Sequence, residues 1–333
     1  MAGLFRLLRM QYTPPRDPRG VSFAGKTVLL TGATSGLGLE AAIKFLNSGV
    51  ASLIIGSRNV ERGQQAKAEL EKSTNRSGVV QVWELEMNNF QSVKSFASRI
   101  DTELESLDVA LLNAGLFNRE YTTSAEEWEE MLQVNTLSTS LLALLLLPKL
   151  RASASESEPA HLTLVSSQQF VRVKAESLQT EGSLLEHVNA PDGFKSPKQY
   201  GISKLLLEYV VKNIADLVRN ENGTLPVIVN SVSPGFCQSS LGRQYNRFYE
   251  RWLMWLVYKF FARTTEQGSR SLVSATVQGA ESQGKCWRSD GYLDESTALT
   301  TGPEGKRFQA KAWKEMMEIL KAQATELKSI LRA

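Results

Sequence analysis

The chain has 333 residues, of which 42% are hydrophobic and 22% charged, proportions typical of a globular protein with a substantial core. The 38 Lys and Arg residues against 35 Asp and Glu residues give a net charge of +3, too small to favour nucleic-acid binding. With two cysteines and two histidines, a disulfide framework is excluded, and a metal site or a Ser-His-Asp relay is disfavoured. We therefore expect His161 and His187 to be structural or exposed.

No transmembrane segment is predicted. The longest apolar runs, 141–147 and 252–261, have seven and ten residues, far fewer than the roughly 20 that a spanning helix needs. Arg6 and Arg9 interrupt the apolar residues of the N-terminus, which argues against a signal peptide. A cytoplasmic protein is expected, and attachment to a membrane surface through the N-terminus or the region around Trp252 stays open.

Between residues 26 and 278, β-branched or leucine-rich runs alternate with helical patterns, as in a parallel sheet covered by helices. Strands are predicted at 27–30, 51–56, 79–85, 108–113, 161–165 and 227–233. Helices are predicted at 36–47, 60–73, 90–104, 125–150 and 200–220. The expected fold is α/β, with one doubly wound domain at 24–300, an N-terminal extension at 1–23 and a C-terminal segment at 301–333.

Two insertions and a C-terminal helix complete the predicted architecture. A polar insertion at 170–198 and an aromatic-rich one at 236–263 are expected to meet at the carboxyl ends of the strands, where ligands bind in open α/β sheets. Beyond Thr301, apolar residues recur in steps of four and three, which predicts an amphipathic helix. Those residues are Trp313, Met317, Leu320, Ala324, Leu327 and Leu331. This helix either packs onto its own domain or offers a surface to a partner or a membrane.

A glycine-rich turn, TGATSGLG at 31–38, separates the first predicted strand from the first helix. In such a turn the backbone N–H groups and the helix N-terminus can hold a pyrophosphate. Glycine is needed because a Cβ atom would collide with the phosphates or strain a positive φ angle. The segment is therefore expected to bind a nucleotide.

The motifs that follow in chain order resemble those of the short-chain dehydrogenase/reductase family over about residues 24–292. They are the TGxxxGxG turn itself, Asn113-Ala114-Gly115, Asn135, Ser166-Ser167, the YxxxK pair Tyr200 and Lys204, and Pro234-Gly235. The long insertion after Ser167 and the Ser-Lys-Leu run at 203–205 are most similar to the retinol-dehydrogenase-like branch and to fungal secondary-metabolite reductases. The resemblance implies a Rossmann-type domain.

The resemblance also implies hydride transfer between a nicotinamide and a carbonyl or secondary alcohol, with Tyr200 exchanging the proton. Residues four apart on a helix share a face, so Lys204 is expected beside Tyr200, where its ammonium would lower the pKa of the phenol. In the family pattern Lys204 also holds the nicotinamide ribose, Ser167 binds the substrate oxygen, and Asn135 holds a water that relays protons. No metal is expected.

The residue after the second strand decides the predicted cofactor. Ser57 offers no carboxylate to a ribose 2′-hydroxyl, whereas Arg58 offers a guanidinium to a 2′-phosphate, so NADP(H) is predicted. Glu86 replaces the aspartate that is usual in the family for adenine contact, which leaves that contact open. The implied cofactor contacts are Gly32, Thr34, Ser35, Gly36, Leu37, Gly38, Ser57, Arg58, Glu86, Asn113, Ala114, Gly115, Tyr200, Lys204, Pro234, Gly235 and Ser239.

The aromatic residues of the second insertion favour a bulky apolar carbonyl over a sugar. The predicted function is an NADP(H)-dependent ketoreductase or secondary alcohol dehydrogenase that acts on a polyketide- or terpenoid-like intermediate. A membrane-surface lipid or retinoid-type carbonyl reductase is the alternative. Trp252, Trp255 and Phe260 could also belong to an amphipathic lid or a dimer contact rather than to a substrate pocket. A nucleotide-sensing scaffold without catalysis is disfavoured by the presence of Tyr200 and Lys204. The expected partner is a small-molecule substrate, and a homodimer is compatible with the family.

Overall fold

An eight-stranded sheet lies at the centre of the computed structural model, which describes residues 12–155, 157–238 and 248–332. Its strands are β1 (Thr27–Thr31), β2 (Ser52–Ser57), β3 (Val80–Glu84), β4 (Val109–Leu112), β5 (Ala160–Val165), β6 (Val227–Val232), β7 (Cys286–Arg288) and β8 (Gly291–Tyr292). Their order across the sheet is β3-β2-β1-β4-β5-β6-β7-β8. The first seven are parallel, and β8 returns antiparallel to β7. The predicted doubly wound α/β fold is confirmed.

Helices cover both faces of this sheet. They are α1 (Gly36–Asn47), α2 (Val60–Thr74), α3 (Phe90–Glu103), α4 (Glu130–Ser153), α5 (Leu184–Asn189), α6 (Ser196–Leu217), α7 (Phe248–Phe261), α8 (Thr265–Ala275), α9 (Gly302–Gln323) and α10 (Leu327–Ile330). Helices α1, α2 and α8 pack on one face, and α3, α4 and α6 pack on the other.

Strand β1 shows why the parallel strands read as continuous apolar runs. Leu29 belongs to the core beneath α3, α4 and α6, whereas its neighbours Val28 and Leu30 belong to the core beneath α1, α2 and α8. Successive side chains point to opposite faces, and both faces are covered, so the central residues Val28, Leu29 and Leu30 are all apolar.

Helix α4 carries the leucine run at 141–147. Among the described residues it is the one helix long and apolar enough to cross a membrane, and 89% of its most apolar window is buried inside the protein. A helix that lies between a sheet and other helices gives the same pattern, because it is apolar on all sides. Residues Gln133–Ser138 of α4 form a π-helical turn, which places Asn135 at the site described below.

Some element boundaries differ from the predictions for local reasons. Helix α4 begins at Glu130 rather than 125, because the Glu129 carboxylate caps it by accepting from the backbone N–H groups of Met131 and Leu132. Helix α6 begins four residues before Tyr200, with Pro197 in its first turn, a position that proline favours.

Several elements of the described structure were not predicted. Strands β7 and β8 have three and two residues, too few to show a periodic pattern. Helix α8 follows a capping box in which Thr264 and Gln267 satisfy each other's backbone N–H groups. The polar insertion at 170–198 contains α5 and a 3₁₀ turn at Ala175–Ser177.

The C-terminal helix packs onto its own domain, which decides between the two alternatives left open by its sequence. Phe308, Ala312, Met316 and Leu320 of α9 are buried in the core shared with α5 and α6. The Glu315 carboxylate accepts hydrogen bonds from the Ser183 hydroxyl and the first backbone N–H groups of α5. Helix α9 therefore holds the polar insertion in place.

The N-terminal extension is anchored beside α8. The carbonyl oxygens of Thr13 and Pro15 accept hydrogen bonds from Arg263 and Arg270. The predicted domain division at residues 24 and 300 stays a prediction.

We expect Leu320→Ala to lower the free energy of unfolding by about 2–5 kcal/mol, because it empties a fully buried position. The measurement is denaturant unfolding followed by circular dichroism. The control Glu318→Ala, at an exposed position of the same helix, should change stability by about 0.5 kcal/mol or less. Equal stability of the two variants would contradict the packing of α9.

Candidate active site

A pocket of about 780 Å³ runs along the carboxyl ends of β1, β2, β4, β5 and β6. It is lined by the residues that follow each of these strands, as expected for an open parallel sheet with a change of winding direction. Among the lining residues, the glycine-rich turn follows β1, Arg58 follows β2 on one side of it, and Ser167, beside Tyr200, follows β5 on the other side.

The glycine-rich turn is held by the Asn113-Ala114-Gly115 turn. Gly32 has a φ angle of +68°, and a Cβ atom there would lie 2.9 Å from the Ala114 Cα. A Cβ atom on Gly38 would collide with the Gly32 carbonyl oxygen. The Asn113 amide nitrogen donates to the carbonyl oxygens of Thr31 and Gly32, both at 3.0 Å. Asn113 therefore braces the turn, in addition to lining the pocket.

The N-terminus of α1 faces the pocket. Thr34, Ser35 and Leu37 line the pocket, whereas Gly36 begins the helix without lining it. No acidic residue lies in the first turn, so the positive end of the helix dipole is not neutralised there. This arrangement fits a pyrophosphate.

At the far end of the pocket, Ser57 and Glu86 are partly occupied by internal hydrogen bonds. The Ser57 hydroxyl donates to the Asn59 carbonyl oxygen at 2.8 Å, and the Glu86 carboxylate accepts from the Asn88 backbone at 2.8 Å. Both residues line the pocket. Arg58 is exposed and makes no ion pair with a described residue, so its guanidinium is available to an anion.

Arg62 also lines this end of the pocket and was missed by the sequence analysis. It follows Arg58 by four residues and lies in the first turn of α2. Its place in the first turn of the helix that follows the second strand was the signal that could have identified it.

The predicted catalytic residues Ser167, Tyr200 and Lys204 meet at the other end of the pocket. Ser167 follows β5, and its hydroxyl forms a hydrogen bond with Tyr200. Lys204 Nζ lies 5.9 Å from the centroid of the Tyr200 ring and donates to the Val165 carbonyl oxygen at 2.8 Å. The lysine is therefore positioned by the end of the strand that carries the serine.

The protonation of these groups is governed chiefly by burial. Burial raises the pKa of Tyr200 to about 12, and the Ser167 hydrogen bond offsets only part of that increase. Burial lowers the pKa of Lys204 to about 8, against the opposing effect of the Glu208 carboxyl. The sequence predicts that Lys204 lowers the pKa of the phenol, but in the structure burial raises it, and the opposing contribution comes from Ser167. Tyr200 is protonated at neutral pH, which is the form that donates a proton to a carbonyl.

Asn135 is buried beside the site, but its side chain does not line the pocket. Its amide oxygen accepts from the Leu116 backbone at 2.9 Å, and its amide nitrogen donates to the Leu116 carbonyl and the Ser203 hydroxyl. A Cβ atom on Gly115 would lie 3.1 Å from this amide oxygen and 3.6 Å from Lys204 Nζ. Asn135 therefore fixes the turn after β4, and its water-holding role stays a prediction.

The segment after β6 closes the pocket. Pro234 and Gly235 line the pocket as predicted, whereas Ser239 lies outside the described residues. Cys237 also lines the pocket and was missed, because the sequence analysis weighed it only as a disulfide partner. Burial raises the pKa of its thiol to about 12, so it is a neutral packing residue.

The loop after β4 carries two aromatic residues that pack against other rings. The Phe117 ring packs edge-on against the Tyr200 ring at 5.5 Å between centroids. Tyr121 packs in the same way against Phe194 of the polar insertion at 5.6 Å. Phe117 lines the pocket and was also missed, although its place directly after the Asn-Ala-Gly turn puts it at the carboxyl end of β4. Phe117 is therefore an aromatic side chain of the pocket wall next to Tyr200.

Neither histidine lines the pocket. Burial lowers the pKa of His161 to about 4, and His187 is exposed on α5. Among the described residues, no group of three His, Cys, Asp or Glu side chains could hold a metal ion.

Comparisons with known proteins agree with this geometry. Residues 26–173 match the family model described as short chain dehydrogenase. The chain is 41% identical over 328 residues to the short-chain dehydrogenase/reductase phmF of Phaeosphaeria nodorum, covering 97% of this chain and 95% of that protein. The chain belongs to the short-chain dehydrogenase/reductase family. It is therefore an oxidoreductase of the family that works with a nicotinamide cofactor.

Further relatives are fungal, in agreement with the branch that the motifs resemble. The short-chain dehydrogenase/reductase ffsI of Aspergillus flavipes is 40% identical, with coverage of 96% of this chain and 92% of that protein. Among solved structures, an uncharacterised protein from Mycobacterium paratuberculosis has a TM-score of 0.67 at 23% identity and covers 93% of this chain and 98% of that one. The RhlG/NADP complex of Pseudomonas aeruginosa has a TM-score of 0.61 at 22% identity, with 81% and 96% covered. Both structures show the same fold.

We expect Tyr200→Phe to lower kcat by at least about 10²–10⁴-fold, because it removes the hydroxyl that moves the proton and keeps the ring. The affinity for the reduced nicotinamide cofactor, measured by fluorescence titration, should stay close to wild type. The matched control is Tyr121→Phe, whose hydroxyl donates to the Asn189 carbonyl outside the pocket and whose loss should leave most of the turnover. Turnover by Tyr200→Phe at the rate of the control would show that the mechanism is wrong.

Proposed function

We propose that the protein is an NADP(H)-dependent ketoreductase or secondary alcohol dehydrogenase that acts on a bulky apolar carbonyl compound, such as a polyketide- or terpenoid-like biosynthetic intermediate. The observation that carries this proposal is a single pocket with Ser167, Tyr200 and Lys204 at one end and Arg58 at the other. The aromatic wall formed by Phe117 beside Tyr200 supports an apolar substrate.

The pocket fits a dinucleotide. The turn around Gly32 and the N-terminus of α1 would hold the pyrophosphate, and Lys204 would hold the nicotinamide ribose. Bound there, the nicotinamide would supply the hydride to the carbonyl carbon or accept it from the alcohol.

The chain's own residues would manage the proton. The Ser167 hydroxyl would donate to the substrate oxygen and orient the carbonyl towards Tyr200. Because Tyr200 is protonated at neutral pH, it can transfer its proton to that oxygen as the hydride reaches carbon, and the reverse reaction returns the proton to the phenolate. Lys204, held by the Val165 carbonyl, would stabilise the phenolate that forms.

The choice of NADP(H) rests on the charges after β2. Arg58 and Arg62 line that end of the pocket together with the acidic residues Glu69 and Glu86, and the Glu86 carboxylate already accepts from the Asn88 backbone N–H. A guanidinium binds a 2′-phosphate through charge-assisted hydrogen bonds. Structural neighbours with bound NADP, the RhlG complex and a short chain dehydrogenase from Shigella flexneri with a TM-score of 0.56 and 21% identity, support the assignment.

Replacing the proposed phosphate ligand should change the preference between the two cofactors. We expect Arg58→Ala to lower kcat/KM for NADPH by roughly 10- to 100-fold, the loss expected for a charge-assisted hydrogen bond of about 1.5–3 kcal/mol. The value for NADH should change little, because NADH has no 2′-phosphate. Steady-state kinetics with both cofactors provide the measurement, and Arg99→Ala, which removes an arginine paired with Glu103 on α3, is the control. A wild-type enzyme that prefers NADH would refute the assignment.

The substrate class is tested by mass spectrometry of the products formed with NADPH and a panel of bulky ketones, with Tyr200→Phe as the negative control. A new alcohol, formed by the wild type and absent from the negative control, supports the proposal. NADPH binding without turnover of any ketone would instead favour a nucleotide-sensing scaffold.

A second candidate function, a carbonyl reductase at a membrane surface, is favoured by helix α7. Trp252, Trp255 and Phe260 are 59%, 54% and 48% exposed, and their spacing of three and five residues places them on one side of the helix. Lys259 Nζ lies 4.8 Å from the Trp255 ring centroid. Exposed tryptophan beside lysine is typical of a membrane interface, so we propose peripheral attachment of a cytoplasmic enzyme.

This attachment predicts that wild-type protein co-sediments with anionic phospholipid vesicles, and that the double variant Trp252→Ser, Trp255→Ser loses most of this binding because it removes the apolar anchors. Turnover of a water-soluble ketone should be retained. Val277→Ser, at another exposed apolar position, is the control and should sediment like wild type. If the wild type does not bind vesicles, Trp252, Trp255 and Phe260 belong to a lid or a dimer contact instead.

A further inference from the structure

Helix α6 carries ionisable side chains beyond the YxxxK pair. Tyr200, Lys204, Glu208 and Lys212 follow one another at intervals of four residues, so they form a line along one side of the helix. Lys204 is 3% exposed and Glu208 is fully buried. Glu208 is therefore a carboxyl group in the interior, one turn behind the lysine of the active site.

The contacts of Glu208 are few for a buried carboxyl group. The Ser231 hydroxyl of β6 lies 2.8 Å and 2.9 Å from its two oxygens and donates to them. The Ser166 hydroxyl makes no hydrogen bond of standard geometry, yet it is close enough to Glu208 to lower the pKa of the carboxyl. Glu208 makes no ion pair with a described residue.

Three consecutive residues at the end of β5 lie next to Lys204, Glu208 and Tyr200. The Val165 carbonyl accepts from Lys204, the Ser166 hydroxyl faces Glu208, and the Ser167 hydroxyl bonds Tyr200. Three consecutive residues of one strand end thus contact three consecutive turns of α6. Glu208 belongs to the same assembly as the residues that contact the substrate.

The charges around Glu208 come from three elements. Helix α6 contributes Lys204 and Lys212. Glu295, which follows β8, forms an ion pair with Lys212 at 3.1 Å. Cys286 of β7 carries a thiol whose pKa is raised well above its ordinary value by burial and by Glu208. Burial, followed by the charge of Glu295, raises the pKa of Glu208 to about 7. In turn the charge of Glu208 raises the pKa of Lys204, against the larger effect of burial.

We propose that Glu208 is a positioning residue of the active site, whose buried negative charge keeps Lys204 in its ammonium form beside Tyr200. The inference rests on the proposed function, in which a charged Lys204 holds the cofactor ribose and stabilises the tyrosine phenolate. Glu208 touches neither substrate nor cofactor and acts through the lysine.

A charged carboxyl at this buried position lowers the stability of the folded protein, and this loss can be measured independently of activity. The pKa of Glu208 is raised from 4.5 to about 7 in the folded protein, so between these pH values the folded state binds more protons than the unfolded state. Stability therefore falls as pH rises through this window. A buried carboxyl with a purely structural role would be better replaced by its neutral amide, which makes similar hydrogen bonds without the charge.

The experiment compares Glu208→Gln with wild type and with Glu208→Asp, which keeps the charge. We expect Glu208→Gln to move the alkaline limb of kcat/KM to lower pH, because Lys204 loses its proton more easily. A displacement of one pKa unit corresponds to roughly a tenfold greater loss of rate at pH 8.5 than at pH 6.5. Glu208→Asp should restore the wild-type limb in large part. Glu315→Gln, which removes a carboxylate that caps α5, should change the rate equally at both pH values.

Thermal unfolding gives a readout that does not need turnover. The Tm of the wild type should fall between pH 5 and pH 8 more than the Tm of Glu208→Gln, because only the wild type has to charge a buried carboxyl. If Glu208→Gln does not fold, Ser231→Ala serves instead: it removes the hydrogen-bond donor, raises the pKa of Glu208 and should move the same alkaline limb in the same direction by less.

The outcomes separate this inference from the proposed function. Parallel pH profiles of Glu208→Gln and wild type, with equal changes of Tm, would overturn the role of Glu208 and leave the ketoreductase assignment intact. A wild type that binds NADPH but turns over no ketone would overturn the proposed function. The Tm comparison would then still test whether Glu208 titrates in the interior.

Discussion

Burial of the ionisable side chains on α6 is the constraint on which the site depends. The helix has to cover β5 and β6, so its inner face lies in the core, yet that face carries Tyr200, Lys204 and Glu208. Desolvation disfavours the charged form of each group, which raises the pKa of the tyrosine and carboxyl and lowers that of the lysine. The ends of β5 and β6 supply hydrogen-bond partners that offset part of the cost of burying these groups, and the same partners fix the geometry of the site.

The rest of the pocket follows from the parallel sheet. Because β1 and β4 are neighbours with the same direction, their two turns lie side by side, and Asn113 can bridge to the carbonyls of Thr31 and Gly32. Gly115 lets Asn135 and Lys204 approach the same turn. The result is a continuous groove with cationic side chains at one end and a proton donor at the other, which is suited to a long anionic cofactor and a small reacting group.

Much of this could be predicted from sequence because the signals are local. A buried parallel strand such as β1 is a continuous apolar run, and Tyr200 and Lys204 share a face by helical spacing alone. The start of α4 could not be predicted, since it depends on the Glu129 carboxylate that caps it. Strands β7 and β8 exist through pairing with β6 and with each other, not through a pattern of their own. Arg62 and Phe117 could have been predicted as pocket residues from their positions in the sequence, which lie just outside the family motifs.

The sequence by itself determined the order of the first six strands and of the main helices between them, the glycine turn and the side chains proposed to react, because these depend on neighbours within a few residues. The tertiary structure decided the protonation of Tyr200, which depends on how deeply α6 is buried. It also decided that the amide of Asn135 is taken up by Leu116 and Ser203, and that α9 packs on its own domain. Finally, it placed Glu208 against Ser166 and Ser231. Desolvation and contacts between distant segments set these properties, and neither is encoded in the spacing of residues along the chain.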